Sequence, residues 1–271
     1  MNKVVSISSK PRIERVIYLP DIHVPVEDKE TMAAVEAYMA DHHWDEIIYG
    51  GDFLNMDSIS SHNENNLRAI AATSIYDEAK AGNVMLNRHE RITPTCIRRT
   101  FLTGNHENRI ERYINANPQL RGLIEVDKLL KLEKRGYKYV PFWEKGKTHR
   151  VGKAVFIHGE YTNAHHAAAT VGAYGTNVFY GHTHDIQSHS KTTKGNNKTK
   201  IGQSLGCLLA YSQEYMRGTP SKWQQGFGVF WFLPDGFFNY MPVHIFNHRF
   251  VSPEGKLYDG KELYRETRRV A

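Results

Sequence analysis

Five short polar motifs follow one another along the chain: Asp21-Ile22-His23, Gly51-Asp52, Gly104-Asn105-His106-Glu107, Ile157-His158-Gly159 and Gly181-His182-Thr183-His184. A lone histidine is more often a hydrogen-bonded structural residue than a ligand. Five clusters of carboxylate, amide and imidazole in succession are hard to explain by packing, because a buried polar group costs free energy unless it is satisfied. Imidazole and carboxylate without thiolate suit manganese, iron, zinc or nickel rather than a soft-metal site. Cys96 and Cys207 are too few and too far apart for a thiolate centre or a disulfide framework. The candidate ligands Asp21, His23, Asp52, Asn105, His158, His182 and His184 exceed what one ion usually takes from protein. Two divalent ions sharing a bridging carboxylate would use all of them and keep room for water.

Each motif stands just after an apolar run that reads as a strand, where an α/β fold delivers side chains to a common edge. Val16 to Leu19, Glu46 to Tyr49, Arg98 to Leu102, Ala154 to Ile157 and Val178 to Tyr180 are those runs. Between them, Lys29 to His42 places Met32, Val35, Tyr38 and Met39 at helical spacing, giving a β-α-β unit. Ala69 to Arg91, Glu107 to Asn115 and Leu120 to Lys134 also read as helices. Further strands are expected at Tyr137 to Val140, Phe227 to Leu233 and Phe238 to Phe246, the last two joined by the hairpin signal Asp235-Gly236. The polar stretch Lys191 to Lys200, centred on Gly195-Asn196-Asn197, reads as another hairpin tip. Two β-rich halves flanked by helices predict a layered sandwich, and no repeat or linker divides residues 1–271, so a single domain is expected.

The ordered set D-x-H, G-D, G-N-H-E, H and G-H-x-H, spanning Asp21 to His184, resembles the calcineurin-like metallophosphoesterase superfamily. The resemblance implies a four-layer α-β-β-α sandwich with the site at the ends of the central strands. It implies that Asp21, His23, Asp52 and His184 hold one metal and that Asp52, Asn105, His158 and His182 hold a second, with Asp52 bridging. Two such cations, manganese favoured, would lower the pKa of a bridging water and orient the hydroxide toward phosphorus. They would also offset charge developing on the phosphoryl oxygens. His106, next to the ligand Asn105, is the candidate for protonating the leaving oxygen or stabilising the transition state.

One departure stands out. Protein-phosphatase relatives carry an Asp three residues after the G-D aspartate to orient that histidine, and this chain has Asn55, with Asp57 or Glu107 as possible substitutes. Met56 and Asp57 stand where that branch has Arg and Gly, which argues against a protein phosphatase. Asn55, His165, Tyr211 and Arg217 are candidate substrate-binding residues, Arg217 suiting a phosphate oxygen. His165 and His166 could equally start a helix facing solvent, and the segment holding Tyr211, Tyr215 and Arg217 could be a loop packed by its own aromatics. Trp223 to Phe232 reads as core strand rather than a base-stacking surface.

With 40% hydrophobic and 24% charged residues, the 271-residue composition is that of a folded globular chain. No run of 18 apolar residues occurs, and Lys3, Lys10, Arg12 and Arg15 interrupt the start before a signal core could form, so a cytoplasmic protein without a membrane span is expected. A formal charge of +6 and a pI of about 9.1 favour an anionic partner. The expected activity is hydrolysis of a phosphodiester of nucleotide or nucleic-acid type by the metal-bridging hydroxide. Alternatives on the same core are a phosphomonoesterase or a DNA nuclease, and, more distantly, an inactive metal-stabilised binding protein. The compact plan and the run Trp223-Gln224-Gln225-Gly226-Phe227 resemble phage-encoded or bacterial stand-alone members.

Overall fold

The computed structural model describes residues 12–60, 74–195, 198–211 and 221–270. β1 (Glu14–Leu19), β2 (Glu46–Gly50), β3 (Arg98–Leu102) and β4 (Lys138–Val140) run parallel. They are extended by the antiparallel hairpin β10 (Gln225–Phe232) and β11 (Phe238–Ile245), in the order β11-β10-β1-β2-β3-β4. The second sheet has the order β5-β6-β7-β9-β8. Its strands are β5 (His149–Val151), β6 (Ala154–Phe156), β7 (Asn177–Tyr180), β8 (Ser188–Thr193) and β9 (Lys198–Ser204). A small ribbon, β12 (Arg249–Val251) with β13 (Leu257–Asp259), follows.

The two sheets meet face to face. Val16, Tyr18, Ile48, Leu102 and Phe230 of the first sheet interleave with Ala154, Phe156 and Phe179 of the second, all buried. Because side chains alternate along a strand, Ile17, Leu19, Ile47, Tyr49 and Phe101 point the other way. There they join Met32, Val35 and Met39 of α1 (Lys29–Ala40) and Met85 and Leu86 of α2 (Ile75–Ile92) in the larger core. On the outer face of the second sheet, α6 (His166–Tyr174) packs so closely that a Cβ at Gly202 would collide with the carbonyl of Ala167. Helix, sheet, sheet and helix therefore form the four layers expected of the sequence, an α/β sandwich.

The expected strands and hairpins are present, and α2 opens on a proper cap: the Ser74 side chain accepts from the Asp77 N–H at 3.0 Å. The expectation of helix from Ala69 begins outside the described residues. The expected helix Leu120 to Lys134 is broken. A 3-10 turn at Pro118–Leu120 and the single helical turn α4 (Val126–Leu129) replace it. Gly122 at φ 90° and Lys131 at φ 56° reverse the chain on either side, so Val126, Leu130 and Leu132 are buried in the core and Ile124 and Leu129 pack against it part-exposed. α3 (Asn108–Ala116), α5 (Phe142–Lys145) and α7 (Gly260–Val270) complete the helices named here. Among the described residues no helix is long and apolar enough to cross a membrane.

Candidate metal centre

Every candidate ligand sits two to four residues beyond the C-terminal end of a parallel strand: Asp21 and His23 after β1, Asp52 after β2, Asn105 after β3, His158 after β6, and His182 and His184 after β7. The two sheets are tied together at this edge. Tyr18 donates its hydroxyl proton to the Ile157 carbonyl at 2.8 Å, and His158 Nδ1 lies 3.0 Å from the Gly50 carbonyl, to which it donates. The loops after β1 and β2 are zipped by His23 N–H to the Asp52 carbonyl (2.9 Å) and Asn55 N–H to the Val24 carbonyl (3.0 Å).

These loops hold unusual backbone. Asp21 (φ 43°), His23 (55°), Asp52 (48°), His182 (69°) and His184 (57°) all lie in the left-handed region. For non-glycine residues that conformation costs roughly 1–3 kcal/mol and persists where the surroundings enforce it, typically at functional sites. The surroundings do enforce it here. The His182 N–H donates to Asp21 (2.9 and 3.0 Å), and the His106 N–H donates to Asp52 Oδ1 at 2.8 Å. A Cβ at Gly181 would strike the Asp21 carboxylate, and one at Gly104 would strike that of Asp52, which explains the glycine in both motifs.

Two groups of donors result. Asp21, His23, Asp52 and His184 have ligand atoms all within 4.8 Å of one another, and so do Asp52, His158 and His182. Asp52 belongs to both. The Asn105 side-chain oxygen lies 3.1 Å from His158 Nε2, which places it with the second group. His23 and His184 point Nε2 at each other at 3.2 Å, and His184 Nε2 is 3.3 Å from Asp21 Oδ1. His158 Nε2 is 3.3 Å from Asp52 Oδ2. Lone pairs converging in this way suit a cation among them. The outer nitrogens are arranged as in metal-bound histidines, where the remaining N–H goes to a carbonyl or amide oxygen: His158 Nδ1 faces the Gly50 carbonyl and His23 Nδ1 the Asn55 side-chain oxygen at 3.2 Å. The donor chemistry of both groups fits divalent metal ions.

The electrostatics are those of a buried charged cluster. Burial would raise the Asp52 carboxyl, but the imidazoles of His158, His106 and His23 hold it well below the usual carboxylate range. Burial opposes the charged form of His158 too, and Asp52 outweighs it, pushing that imidazole up to about 9. Burial pushes His182 down to about 4 and His23 well below its ordinary range.

His106 stands at the edge of both groups, its ring 4.4 Å from that of His23 and its Nε2 3.9 Å from Asp52 Oδ2. Its Nδ1 is held by the main-chain carbonyl of Asn55 at 2.6 Å. Neither proposed substitute carboxylate touches it. Glu107 turns into the protein and accepts from the N–H groups of Asp52 (2.9 Å), Leu54 (2.8 Å) and Gly104 (2.8 Å). Asp57 is linked to His106 through Arg109, which pairs with Asp57 Oδ1 at 3.0 Å and lies 3.1 Å from His106 Nε2.

The candidate substrate-binding residues are dispersed. Asn55 is buried and fully engaged, with His23 on its oxygen and Asp57 accepting from its Nδ2 at 2.7 Å. His165 lies exposed at the start of α6, while its neighbour His166 turns inward between the Tyr180 hydroxyl (2.7 Å) and Asp185 (3.0 Å). The Tyr211 hydroxyl accepts from the Gln225 N–H at 3.2 Å. Arg217 and Tyr215 lie outside the described residues. Sequence reading missed Arg109 and Trp143; the latter, placed by Pro141 just after β4, is half-buried with its ring 5.3 Å from His182 and 5.9 Å from His158. It also placed Trp223 in a core strand, whereas β10 begins at Gln225 and leaves Trp223 in the preceding loop, half-buried and 4.8 Å from the His184 ring.

No protein-family model matches the chain. The Gene 54 proteins of Mycobacterium phages L5 and D29 are each 24% identical to it over 230 residues, spanning 80% of this chain and 88% of theirs. Similar solved structures include Vps29 from Cryptosporidium parvum, with a TM-score of 0.44 and 14% identity over 84% of this chain and 96% of that one. Vps29 complexed with Zn²⁺ from Entamoeba histolytica gives 0.40 and 10% identity over 91% and 99%. The Pseudomonas putida nuclease MPE gives 0.34 and 13% over 83% and 86%.

Proposed function

We propose that this protein is a binuclear metal-dependent phosphoesterase of the calcineurin-like type that hydrolyses phosphodiester bonds in nucleotide or nucleic-acid substrates. The observation that carries the proposal is Asp52, a buried carboxylate common to two donor groups on strained backbone at the meeting edge of both sheets. Asp21, His23, Asp52 and His184 would hold one ion, and Asp52, Asn105, His158 and His182 the other. Two divalent cations bound there, manganese favoured, supply Lewis-acid activation of water and offset charge on the phosphoryl oxygens.

The chain's own residues supply the rest. Glu107 fixes the main chain of both the Asp52 and Asn105 loops, so these donors hold their positions without strain relief by loop movement. His106, its Nδ1 proton on the Asn55 carbonyl, turns Nε2 to the side of Asp52 Oδ2 at 3.9 Å, with the Arg109 guanidinium 3.1 Å from the same nitrogen. Burial lowers the His106 pKa, Asp52 opposes this and Arg109 adds to the lowering, so the surroundings favour the neutral ring. A phosphate ester beside Nε2 brings negative charge that favours the imidazolium, which makes His106 a proton donor to the leaving oxygen at that atom. Nothing in this scheme requires a covalent enzyme intermediate.

The test is hydrolysis of bis(p-nitrophenyl) phosphate and p-nitrophenyl phosphate after metal removal and readdition of manganese, nickel or zinc, with Asp52→Asn alongside. Metal-requiring diester turnover that falls more than about 10²-fold in Asp52→Asn is expected, since the bridging charge acts on both ions. Preference for the monoester would replace the reading with a phosphatase, and no turnover with any of the metals would reject it.

A further inference from the structure

The chain has four tryptophans, and they divide into two kinds. Trp44 is 1% exposed with its Nε1 proton on the Met39 carbonyl at 3.0 Å, and Trp231 packs on the main core beneath Arg15. Both serve structure. Trp143 and Trp223 instead stand half-buried at the metal-centre edge, one beside each donor group. Trp143 packs its inner side on the small core cluster of Phe142, Val155, Ile157, Val178 and Tyr180 and meets two imidazoles of the second group, His182 at 5.3 Å and His158 at 5.9 Å, while Trp223 meets His184 of the first at 4.8 Å. Between the two groups lies the shared Asp52.

The backbone positions the segments that carry both indoles. The Gln224 N–H donates to the His184 carbonyl at 2.7 Å, its carbonyl accepts from the Cys207 N–H at 3.1 Å, and its side-chain oxygen accepts from the Ile186 N–H at 2.7 Å. Gln224, the neighbour of Trp223, is thus tied to the loop that carries His184. On the other side, the β4 end is tied to the Asn105 loop by the Thr103 N–H on the Val140 carbonyl at 3.1 Å. Phe142, 1% exposed, takes the core position of the next turn and leaves Trp143 at the site. Each indole is thus half-buried and keeps a ring beside one of the two candidate donor groups.

We propose that Trp143 and Trp223 are stacking walls for the two organic arms of the substrate, so that the diester recognised is one whose arms carry flat rings, a dinucleotide or single-stranded oligonucleotide. This rests on the phosphodiesterase reading and narrows its substrate class. A phosphodiester bound between the two donor groups carries two organic arms, and each indole is a flat surface that one arm can meet. Bases have π-faces whatever their identity, so two indole walls select for a base without selecting which. A phosphomonoester, with one arm, can engage only one wall. The excess positive charge of the chain is consistent with the same anionic substrates.

The experiment compares the p-nitrophenyl ester of thymidine 5′-monophosphate with methyl p-nitrophenyl phosphate, two diesters with one leaving group, in the metal-loaded wild type, Trp143→Leu, Trp223→Leu and the Phe variant at each position. The expected result is a wild-type kcat/KM ratio of about tenfold or more in favour of the thymidine ester. It should fall toward unity in at least one Leu variant and be kept in the matching Phe variant, with thermal melts checking that each variant is folded. A wild-type ratio near one, or a ratio that both Leu variants leave unmoved, overturns the stacking walls and leaves the phosphodiesterase reading standing. If neither ester is hydrolysed, that reading fails, and tryptophan fluorescence decides the walls separately. Quenching by a thymidine dinucleotide, absent with inorganic phosphate and lost in the Leu variants, would uphold them; no quenching would overturn them.

Discussion

The side chain and the main chain of Asn55 serve two different histidines: its side-chain oxygen lies 3.2 Å from His23 Nδ1, and its carbonyl lies 2.6 Å from His106 Nδ1. One residue therefore orients a candidate metal ligand and the candidate proton donor at once. A carboxylate at this position is not needed to set the His106 ring, because a backbone carbonyl accepts that proton.

Asn55→Ala removes only the first of these bonds. Metal affinity at the group containing His23 should fall about 10- to 100-fold, the usual cost of losing a partner behind a ligating histidine. The second group should be unchanged. Calorimetric titration of the metal-free protein with zinc would show one weakened and one unaltered binding step; two unaltered steps would contradict the assignment.

His106→Ala should retain its full metal content, since His106 belongs to neither donor group. Its turnover should fall about 10²- to 10⁴-fold on esters with poor leaving groups, the range for loss of a general acid. The loss should be smaller for p-nitrophenyl esters, whose leaving group departs without a proton. Equal losses on both classes would assign the residue to transition-state charge rather than proton transfer.

Glu107→Ala strips the acceptor from three main-chain N–H groups in the buried loops that carry Asp52 and Asn105. Leaving buried donors unpaired costs about 1–3 kcal/mol each. A melting midpoint lower by roughly 10 °C follows for a chain of this size, read by calorimetry on the metal-free protein. A shift of a degree or two would mean that water replaces the carboxylate.

Glu78, buried under the Met56 turn whose N–H it accepts, gives a pH effect away from the ligands. Burial pushes its carboxyl up from 4.5 to about 7 in the folded protein. The folded state then holds a proton that the unfolded chain releases, so this group's contribution to stability is present below pH 4.5 and is lost as pH rises to about 7. Glu78→Gln, which keeps an acceptor for Met56, should reduce the decline in melting temperature between pH 5 and pH 8. Parallel curves for the two proteins would show that the carboxyl titrates normally.

The donor set was legible in the sequence because its parts are local: each motif is a strand end followed by a short polar turn, and strand ends are marked by apolar runs such as Val16 to Leu19 and Glu46 to Tyr49. Glycines at 104 and 181 were readable as motif members, although the reason for them, carboxylates pressed against the backbone, belongs to the assembled site. What only the tertiary structure decided depends on contacts between distant segments. The sharing of Asp52, the turning of Glu107 away from His106, and the double use of Asn55 each arise where loops from β1, β2 and β3 cross. Spacing along the chain cannot report side-chain direction across such crossings. The same holds for Trp143 and Trp223, which the sequence offers as ordinary aromatics and which become neighbours of the ligands only because β4 lies beside β3 and the Gln224 main chain bonds to His184. Local pattern determines which residues end up at strand ends; the packing of the two sheets determines which of them face one another.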